Sequence, residues 1–315
     1  MLQWINMSQS KYIYITEPKD LDPQTITDTL RDSTWQAVPG DISFTNSQEH
    51  PYAAVLIRSN TRIDATVLRH FPQLKHIVRA GVGLDNVDLD FCKQHGITVY
   101  NAPGANADAV SDYTVGMMLF ALRKLYKLTE ADIVAWNRFT FTGQNMANQT
   151  IGIVGFGNIG KLLQRKLAGF NYREILIYDP FIATDPALPE RARLVSLDQL
   201  LQLSTIISLH LPLTDDTNHL IGRHNLALVQ EGAILINASR GGIVDETALL
   251  AVLRTKDMVY IADAVEGEPE VNKDLLGHPN IIITPHIASL TDESERNMVR
   301  VALQNLLDDK TAVIF

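Results

Sequence analysis

The sequence predicts an α/β protein made of two doubly wound parallel-sheet domains, and three observations predict it. Short, β-branched apolar runs alternate with segments of helical period from end to end, as expected of parallel strands covered by helices on both faces. The chain has 315 residues, enough for two domains that each bury a core. The strand run 150–154 leads at once into Gly155-Phe156-Gly157-Asn158-Ile159-Gly160 and then a helical run over 161–168, the strand–turn–helix order of a phosphate-binding βαβ unit.

Taken in order, the first strands are expected at 12–15, 53–57, 76–79 and 97–100. Helices fall between them, the first opening on Asp22 as N-cap with Pro23 at the first helical position. One long helical region follows over 107–136. The polar stretch 137–149, which carries Gly143 and several Asn and Gln residues, reads as a linker or crossing loop. A second set of strands is expected at 150–154, 175–178, 206–209, 235–237, 260–264 and 281–284, short and apolar on both faces. The last segment, 291–308, has helical periodicity through Met298, Val301, Ala302, Asn305 and Leu306 and needs a partner surface. No internal repeat or low-complexity segment stands out.

Composition narrows the class. With 46% hydrophobic and 20% charged residues and a mean hydropathy of +0.00, the chain reads as an ordinary globular protein. The 27 Lys and Arg against 36 Asp and Glu give a net charge of −9, which disfavours nucleic acid and anionic membranes as partners. An anionic small ligand would need a locally built cationic pocket. The single cysteine, Cys92, excludes an intrachain disulfide framework and a Cys-based metal cluster, and it fits a reducing, cytoplasmic location; no metal site is expected. Residues 1–10 lack a basic leader followed by an apolar run, so no signal peptide is expected, and Met7 is an alternative start. The apolar stretch 115–122 stops at Arg123 and Lys124, short of the roughly 20 residues that span a bilayer.

In the glycine motif Gly155 permits the tight turn, Gly157 lets the backbone approach a pyrophosphate, and Gly160 lets the helix pack on the strand. The pyrophosphate then meets free N–H groups at the positive end of the helix dipole. Glycines also mark any tight strand-to-helix turn, so the flanking elements carry the reading. Asp179 ends the next strand, 19 residues after Gly160, and is placed to accept hydrogen bonds from an adenosine ribose; alternatively Asp179-Pro180 merely starts a turn. A carboxylate there repels a 2′-phosphate, and no Arg or Lys follows until Arg191. NAD is therefore favoured over NADP.

Three later segments end expected strands, where doubly wound sheets gather ligands: 236–242 with Arg240, 263–269 with Glu268, and 284–289 with His286. An Arg binds a carboxylate with two parallel hydrogen bonds while polarising an adjacent carbonyl. A His passes a proton at neutral pH, and a neighbouring Glu orients its ring and favours the imidazolium. Each also has a plain reading, as a surface cation, a solvated carboxylate and a loop histidine.

At these residues the sequence resembles the D-isomer-specific 2-hydroxyacid dehydrogenases. The resemblance covers nearly the whole chain: Arg-Ala-Gly-Val-Gly-Leu-Asp-Asn-Val-Asp at 79–88, Asn-Ala-Pro-Gly-Ala-Asn at 101–106, the glycine motif, His-Leu-Pro-Leu-Thr at 210–214, Asn-Ala-Ser-Arg-Gly-Gly-Ile-Val-Asp-Glu at 237–246, and Pro-His-Ile-Ala at 285–288. It implies that Arg240, Glu268 and His286 are the catalytic trio, Glu268 rather than Glu266 because it immediately precedes proline. It implies a Rossmann nucleotide domain, 102–286, inserted into a flavodoxin-like substrate domain made of 1–101 and 287–315, with hinges for closure near 102 and 287. Asp263 and the backbone around Ala238 and Ser239 would face the nicotinamide, and His210, Leu211 and Pro212 the adenosine side, with Gly155, Gly157, Asn158, Ile159, Gly160, Asp179, Thr217 and Ala288 completing the cofactor contacts.

For the substrate, the resemblance implies N–H groups near Val82 and Gly83 for the carboxylate, with Ser59 and Asn106 nearby. Arg58 and Arg79 end strands, and Arg138 lies in the crossing loop. In family members acting on 3-phosphoglycerate, basic residues at matching positions contact the phosphate, and the loop can come from a partner subunit. The first expectation is thus 3-phosphoglycerate and phosphohydroxypyruvate, the alternatives being glyoxylate, hydroxypyruvate, pyruvate or a branched 2-oxo acid. An NADH-sensing corepressor-like role and a catalytically silent NAD-binding role are the rivals from other classes. A homodimer through 110–122 and the crossing loop is implied. The chain ends at Phe315, so the C-terminal regulatory domain of some phosphoglycerate dehydrogenases is not expected. The family commonly has Glu where Asp112 stands, often an aromatic at Val265 and often Asp at Thr205.

Overall fold

Parallel strands organise the computed structural model, which describes residues 11–40, 51–182 and 188–310. The chain divides into two units, Met1–Asn106 with Leu290–Phe315, and Ala107–Ser289. These boundaries lie a few residues beyond those expected from the sequence.

In the first unit the order is β1 (Lys11–Ile15), α1 (Pro23–Leu30), β2 (Trp35–Pro39), β3 (Ala54–Ile57), α2 (Ala65–Leu68), β4 (His76–Arg79), α3 (Leu89–Gln94) and β5 (Thr98–Tyr100). The strands form one parallel sheet in the order β2-β1-β3-β4-β5. Successive side chains of a strand point to opposite faces, so the sheet feeds two cores. Ile13, Leu56 and Val78 pack with α1 and with Met298, Ala302 and Leu303 of the C-terminal helix, Asp292–Leu307. Tyr14, Val55, Ile57, Phe71, Ile77 and Val99 form the other core with Cys92. The C-terminal helix thereby finds the partner surface that its periodicity requires. Asp22 caps α1 through the N–H groups of Gln24 and Thr25. Burial pushes the Cys92 thiol up to about 11, which leaves it a packing residue.

The second unit runs α4 (Ala107–Leu122), α5 (Glu130–Val134), β6 (Thr150–Val154), α6 (Asn158–Leu167), β7 (Glu174–Tyr178), β8 (Ala192–Leu194), α7 (Leu197–Leu203), β9 (Ile206–Leu209), α8 (Arg223–Leu228), β10 (Ile234–Asn237), α9 (Glu246–Leu253), β11 (Val259–Ala262) and β12 (Ile281–Ile283). Its parallel sheet has the order β12-β11-β10-β9-β6-β7-β8. Chain order reverses between β6 and β9. In open α/β sheets ligands bind outside the carboxyl ends of the strands at such a switch point.

Two short strands went unread in the sequence. β2 is partly exposed, mixes Gln36 with apolar residues and ends on Pro39, and β8 has three residues with an exposed Arg193. The helix expected over 107–136 is broken. It ends at Leu122, Lys124 turns left-handed at φ 55°, and a short 3-10 turn over Leu125–Lys127 intervenes. Thr129 and Asp132 then form a capping box that opens α5; the box starts a new helix where hydrophobic periodicity alone reads through.

Candidate active site

The glycine motif sits at the carboxyl end of β6. Gly155 has φ +90°, and a Cβ there would stand 2.5 Å from the carbonyl oxygen of His210, so the turn against the β9 loop needs glycine. Gly157 is the N-cap of α6 and offers no side-chain cap. The first-turn amides, those of Asn158, Ile159 and Gly160 among them, therefore remain for an anionic group at the positive end of the helix dipole. At the end of β7 one oxygen of Asp179 accepts the Phe156 amide at 2.8 Å and the other the Phe181 amide at 2.9 Å. The expected ribose-binding carboxylate is thus tied to the glycine loop itself. Beyond β9, His210 Nε2 lies 2.8 Å from the Ser208 hydroxyl, and burial pushes the ring down to about 4. Leu211 lies against Gly155. Thr217 donates to the Pro212 carbonyl at 2.6 Å and accepts from the Thr214 amide at 2.8 Å, which fixes that loop. These features fit a dinucleotide: a turn that a Cβ would fill, an uncapped helix start and a carboxylate at the neighbouring strand.

The trio comes together inside the second unit. Fully buried Asn237 ends β10; its Oδ1 accepts from the Ser239 amide at 3.2 Å and hydroxyl at 2.7 Å, and its Nδ2 donates to the Arg240 carbonyl at 2.7 Å. That amide shapes the Ala238-Ser239-Arg240 turn, and Arg240 Nη1 donates back to the Ser239 carbonyl at 2.8 Å. A Cβ on Gly241 would collide with the main chain of Val265 and Glu266, so only glycine lets the arginine turn lie against the segment leading to Glu268. Glu268 Oε1 and His286 Nδ1 are 2.7 Å apart.

Electrostatics follow this geometry. The hydrogen bond to Glu268 and its charge raise the His286 imidazole above its ordinary 6.5, against burial and the Arg240 charge, with Asp263 adding to the rise. Burial alone would raise Glu268, but the hydrogen bond and charge of His286 outweigh it and hold the carboxyl below its usual value.

Asp263, following β11, is 3% exposed. Its Oδ1 accepts the Thr284 hydroxyl at 2.6 Å and the Ile287 amide at 2.8 Å, and its Oδ2 accepts the Ala288 amide at 2.8 Å. Its carbonyl accepts the His286 amide at 2.9 Å. The segment 284–288 is thus wrapped around this carboxylate, with His286 left-handed at φ 55°.

The expected substrate residues divide differently. Arg58, Ser59, Arg79, Val82, Gly83 and Asn106 belong to the first unit. Arg58 is not the free strand-end cation expected from sequence. Its guanidinium is paired with Glu295 at the start of the C-terminal helix, with Nη2 to Oε1 at 2.9 Å, and Nη1 also donates to the Asp20 carbonyl at 2.8 Å. Buried Glu17 accepts the amides of Arg58, Asn60 and Thr61 and the Thr61 hydroxyl, shaping the loop that carries exposed Ser59. The Arg79 guanidinium lies over Gly81, and Asn101 donates to the Val82 carbonyl at 2.7 Å, bracing the segment with Val82 and Gly83. Arg138 stands in an exposed 3-10 turn, Arg138–Phe141, over the Phe139 ring at 4.8 Å.

Sequence reasoning left Asn237, Thr284, Glu246 and Glu295 without roles. Asn237 and Thr284, polar residues at strand ends, and Glu246, the last residue of the 237–246 motif, carry a signal; Glu295 carries none. The three departures from the family pattern are taken up structurally: Asp112 pairs with Lys166 at 2.5 Å, Thr205 hydrogen-bonds the Thr150 main chain, and Val265 is buried in the core. Among the described residues no group of three or more His, Cys, Asp and Glu side chains could hold a metal ion, and no helix is long and apolar enough to cross a membrane.

Comparison with known proteins identifies the family. Residues 115–288 match the model of the D-isomer specific 2-hydroxyacid dehydrogenase NAD binding domain. A D-3-phosphoglycerate dehydrogenase of Archaeoglobus fulgidus is 35% identical over 260 residues, 82% of this chain and 49% of that protein. A hydroxypyruvate reductase of Thermotoga maritima is 37% identical over 253 residues, 78% of this chain and 80% of that protein. This chain therefore spans about half the length of the first relative and most of the second. A crystal structure of D-lactate dehydrogenase from Aquifex aeolicus with NAD and lactic acid superposes with a TM-score of 0.79 at 26% identity, covering 95% of each chain. A family model matched over more than half of the sequence, together with these relatives, places the chain in the D-isomer specific 2-hydroxyacid dehydrogenase family, with its NAD binding domain in the second unit.

Proposed function

We propose that this protein is an NAD-dependent oxidoreductase that interconverts a D-2-hydroxy acid and its 2-oxo acid. The observation that carries the reading is the 2.7 Å Glu268–His286 pair on the same unit as Arg240. Because Nδ1 is held by Glu268, Nε2 of His286 is the atom left to exchange a proton with the substrate oxygen. In the reductive direction the imidazolium donates that proton; in the oxidative direction the neutral ring accepts it. Arg240 binds the substrate carboxylate and polarises the adjacent carbonyl. NAD supplies the hydride chemistry when bound, held by the glycine-loop amides and Asp179.

The substrate side chain has two readings. The Archaeoglobus relative's name favours phosphohydroxypyruvate, which a sequence with Arg58, Arg79 and Arg138 suggests. The Arg58–Glu295 pair favours an unphosphorylated short 2-oxo acid such as hydroxypyruvate or glyoxylate, since it takes one cation away from any phosphate. We adopt the second. The test is loss of NADH absorbance with phosphohydroxypyruvate, hydroxypyruvate, glyoxylate and pyruvate. A tenfold or greater preference for the phosphorylated acid in kcat/KM would overturn the side-chain reading, and silence with all four would replace the enzyme by an NAD-binding protein. His286→Gln should lower turnover by ~10²- to 10⁴-fold while NADH still binds.

The reading includes a homodimer. Ile133, Val134, Trp136 and Phe139 are 56%, 82%, 77% and 79% exposed, and a clustered apolar surface of this kind is what a second copy would cover. Work in the reducing cytoplasm is supported by the one buried cysteine.

A further inference from the structure

The dehydrogenase reading gives no role to Tyr113 of α4. The Tyr113 hydroxyl lies 2.7 Å from the Thr284 hydroxyl, at the outer end of the network around Asp263. Counting protons fixes the direction of each bond. Ile287 and Ala288 present amides, which only donate, one to each oxygen of Asp263. Thr284 has one hydroxyl proton and gives it to Asp263. Tyr113 must then donate to Thr284. The chain of donors runs from Tyr113 to Thr284 to Asp263, whose carboxylate and carbonyl hold the main chain at 286, 287 and 288.

We propose that Tyr113 is a positioning residue for the His286 proton donor: by donating to Thr284 it fixes that hydroxyl on Asp263 and holds the left-handed 284–288 segment where the His286 ring meets Glu268. The inference rests on the dehydrogenase reading for its kinetic consequence. Its structural content stands on contacts within the second unit. Burial pushes the Tyr113 phenol up to about 12, Thr284 opposing, so the donor keeps its proton wherever His286 titrates. A phenylalanine would fill the same space without the donor. Such networks polarise along their length, so a missing outer donor weakens the next bond.

The experiment compares Tyr113→Phe, Thr284→Val, the double variant and Thr284→Ser, in the full chain. The first should lower kcat about fivefold, the factor of one ordinary hydrogen bond, with both KM values changed less than about twofold. Thr284→Val should cost at least as much, the double variant no more than Thr284→Val alone, and Thr284→Ser should stay near wild type. The groups that set the His286 titration are Glu268, Arg240 and Asp263, and loosening the segment weakens the Glu268 bond first. Its ring midpoint in Tyr113→Phe, followed by NMR on histidine-labelled protein and assigned by its absence in His286→Gln, should therefore fall. That readout needs no turnover, so an inactive wild type would defeat the dehydrogenase reading while the midpoint still judges Tyr113. Effects of Tyr113→Phe and Thr284→Val that multiply, or a Tyr113→Phe protein with wild-type His286 midpoint, overturn the proposal.

Discussion

Glu246 offers a test of the electrostatics behind the arginine turn. It opens α9, is 2% exposed, and accepts the Glu266 amide at 3.0 Å, two residues before Glu268. Burial raises its carboxyl from 4.5 to about 7; the Glu266 amide and the His219 charge oppose the rise and the Glu266 charge adds to it. An acid raised in the folded state stabilises the fold most below its unfolded value, and that contribution is lost as pH climbs from 4.5 towards 7. At 1.36 kcal/mol per unit this amounts to about 3 kcal/mol. Water at the half-exposed His219–Glu266 pair screens the charge and reduces it to about 2 kcal/mol. Glu246→Gln keeps the shape and the acceptor oxygen but never ionises. It should match wild type near pH 4 and exceed it by about 2 kcal/mol at pH 8, measured by urea unfolding of ligand-free protein at both values. A variant less stable than wild type at pH 8, or a difference of the same size at both pH values, would refute the reasoning.

Other substitutions probe other parts. Because Glu268 raises His286, the reductive rate should persist above pH 6.5 and fall as pH rises through the shifted value, while the oxidative rate rises; Glu268→Gln should move both transitions to lower pH in kcat/KM profiles. Glu295→Ala strands the Arg58 guanidinium, whose side chain is 16% exposed. It should cost about 3 kcal/mol in denaturant unfolding, most of it restored by Arg58→Met with Glu295→Leu; equal losses in the single and double variants would contradict that. Trp136→Glu with Phe139→Glu should give a monomer in sedimentation without lowering the unfolding midpoint, and an unchanged dimer would mean that another surface pairs.

Much of this molecule is legible in its residues because the central strands are short apolar runs with few alternatives. The runs at 150–154 and 206–209 and the cap at Asp22 needed no tertiary information. What escaped depends on partners distant in sequence. β2 and β8 are edge strands whose pairing, not their composition, makes them strands. Glu295 pairs with Arg58 across 237 positions, a distance over which a local pattern says nothing. The candidate trio can be named from motifs, but its bracing cannot: the sequence suggests Asp263 only as a cofactor contact, and its amide and hydroxyl partners emerge only when 284–288 folds back upon it.

The double grip of Asp179 on Phe156 and Phe181 has an evolutionary consequence. Its two oxygens each receive a main-chain donor, so the same group that would discriminate between cofactors also sets the conformation of the glycine turn. An asparagine would point its NH2 at one of those amides, setting donor against donor, and a shorter residue would release both. Recharging this one position to admit a 2′-phosphate would therefore also remove a main-chain acceptor from the glycine turn. Any such change would have to rebuild that turn as well, which couples cofactor preference to the shape of the loop rather than to one charge.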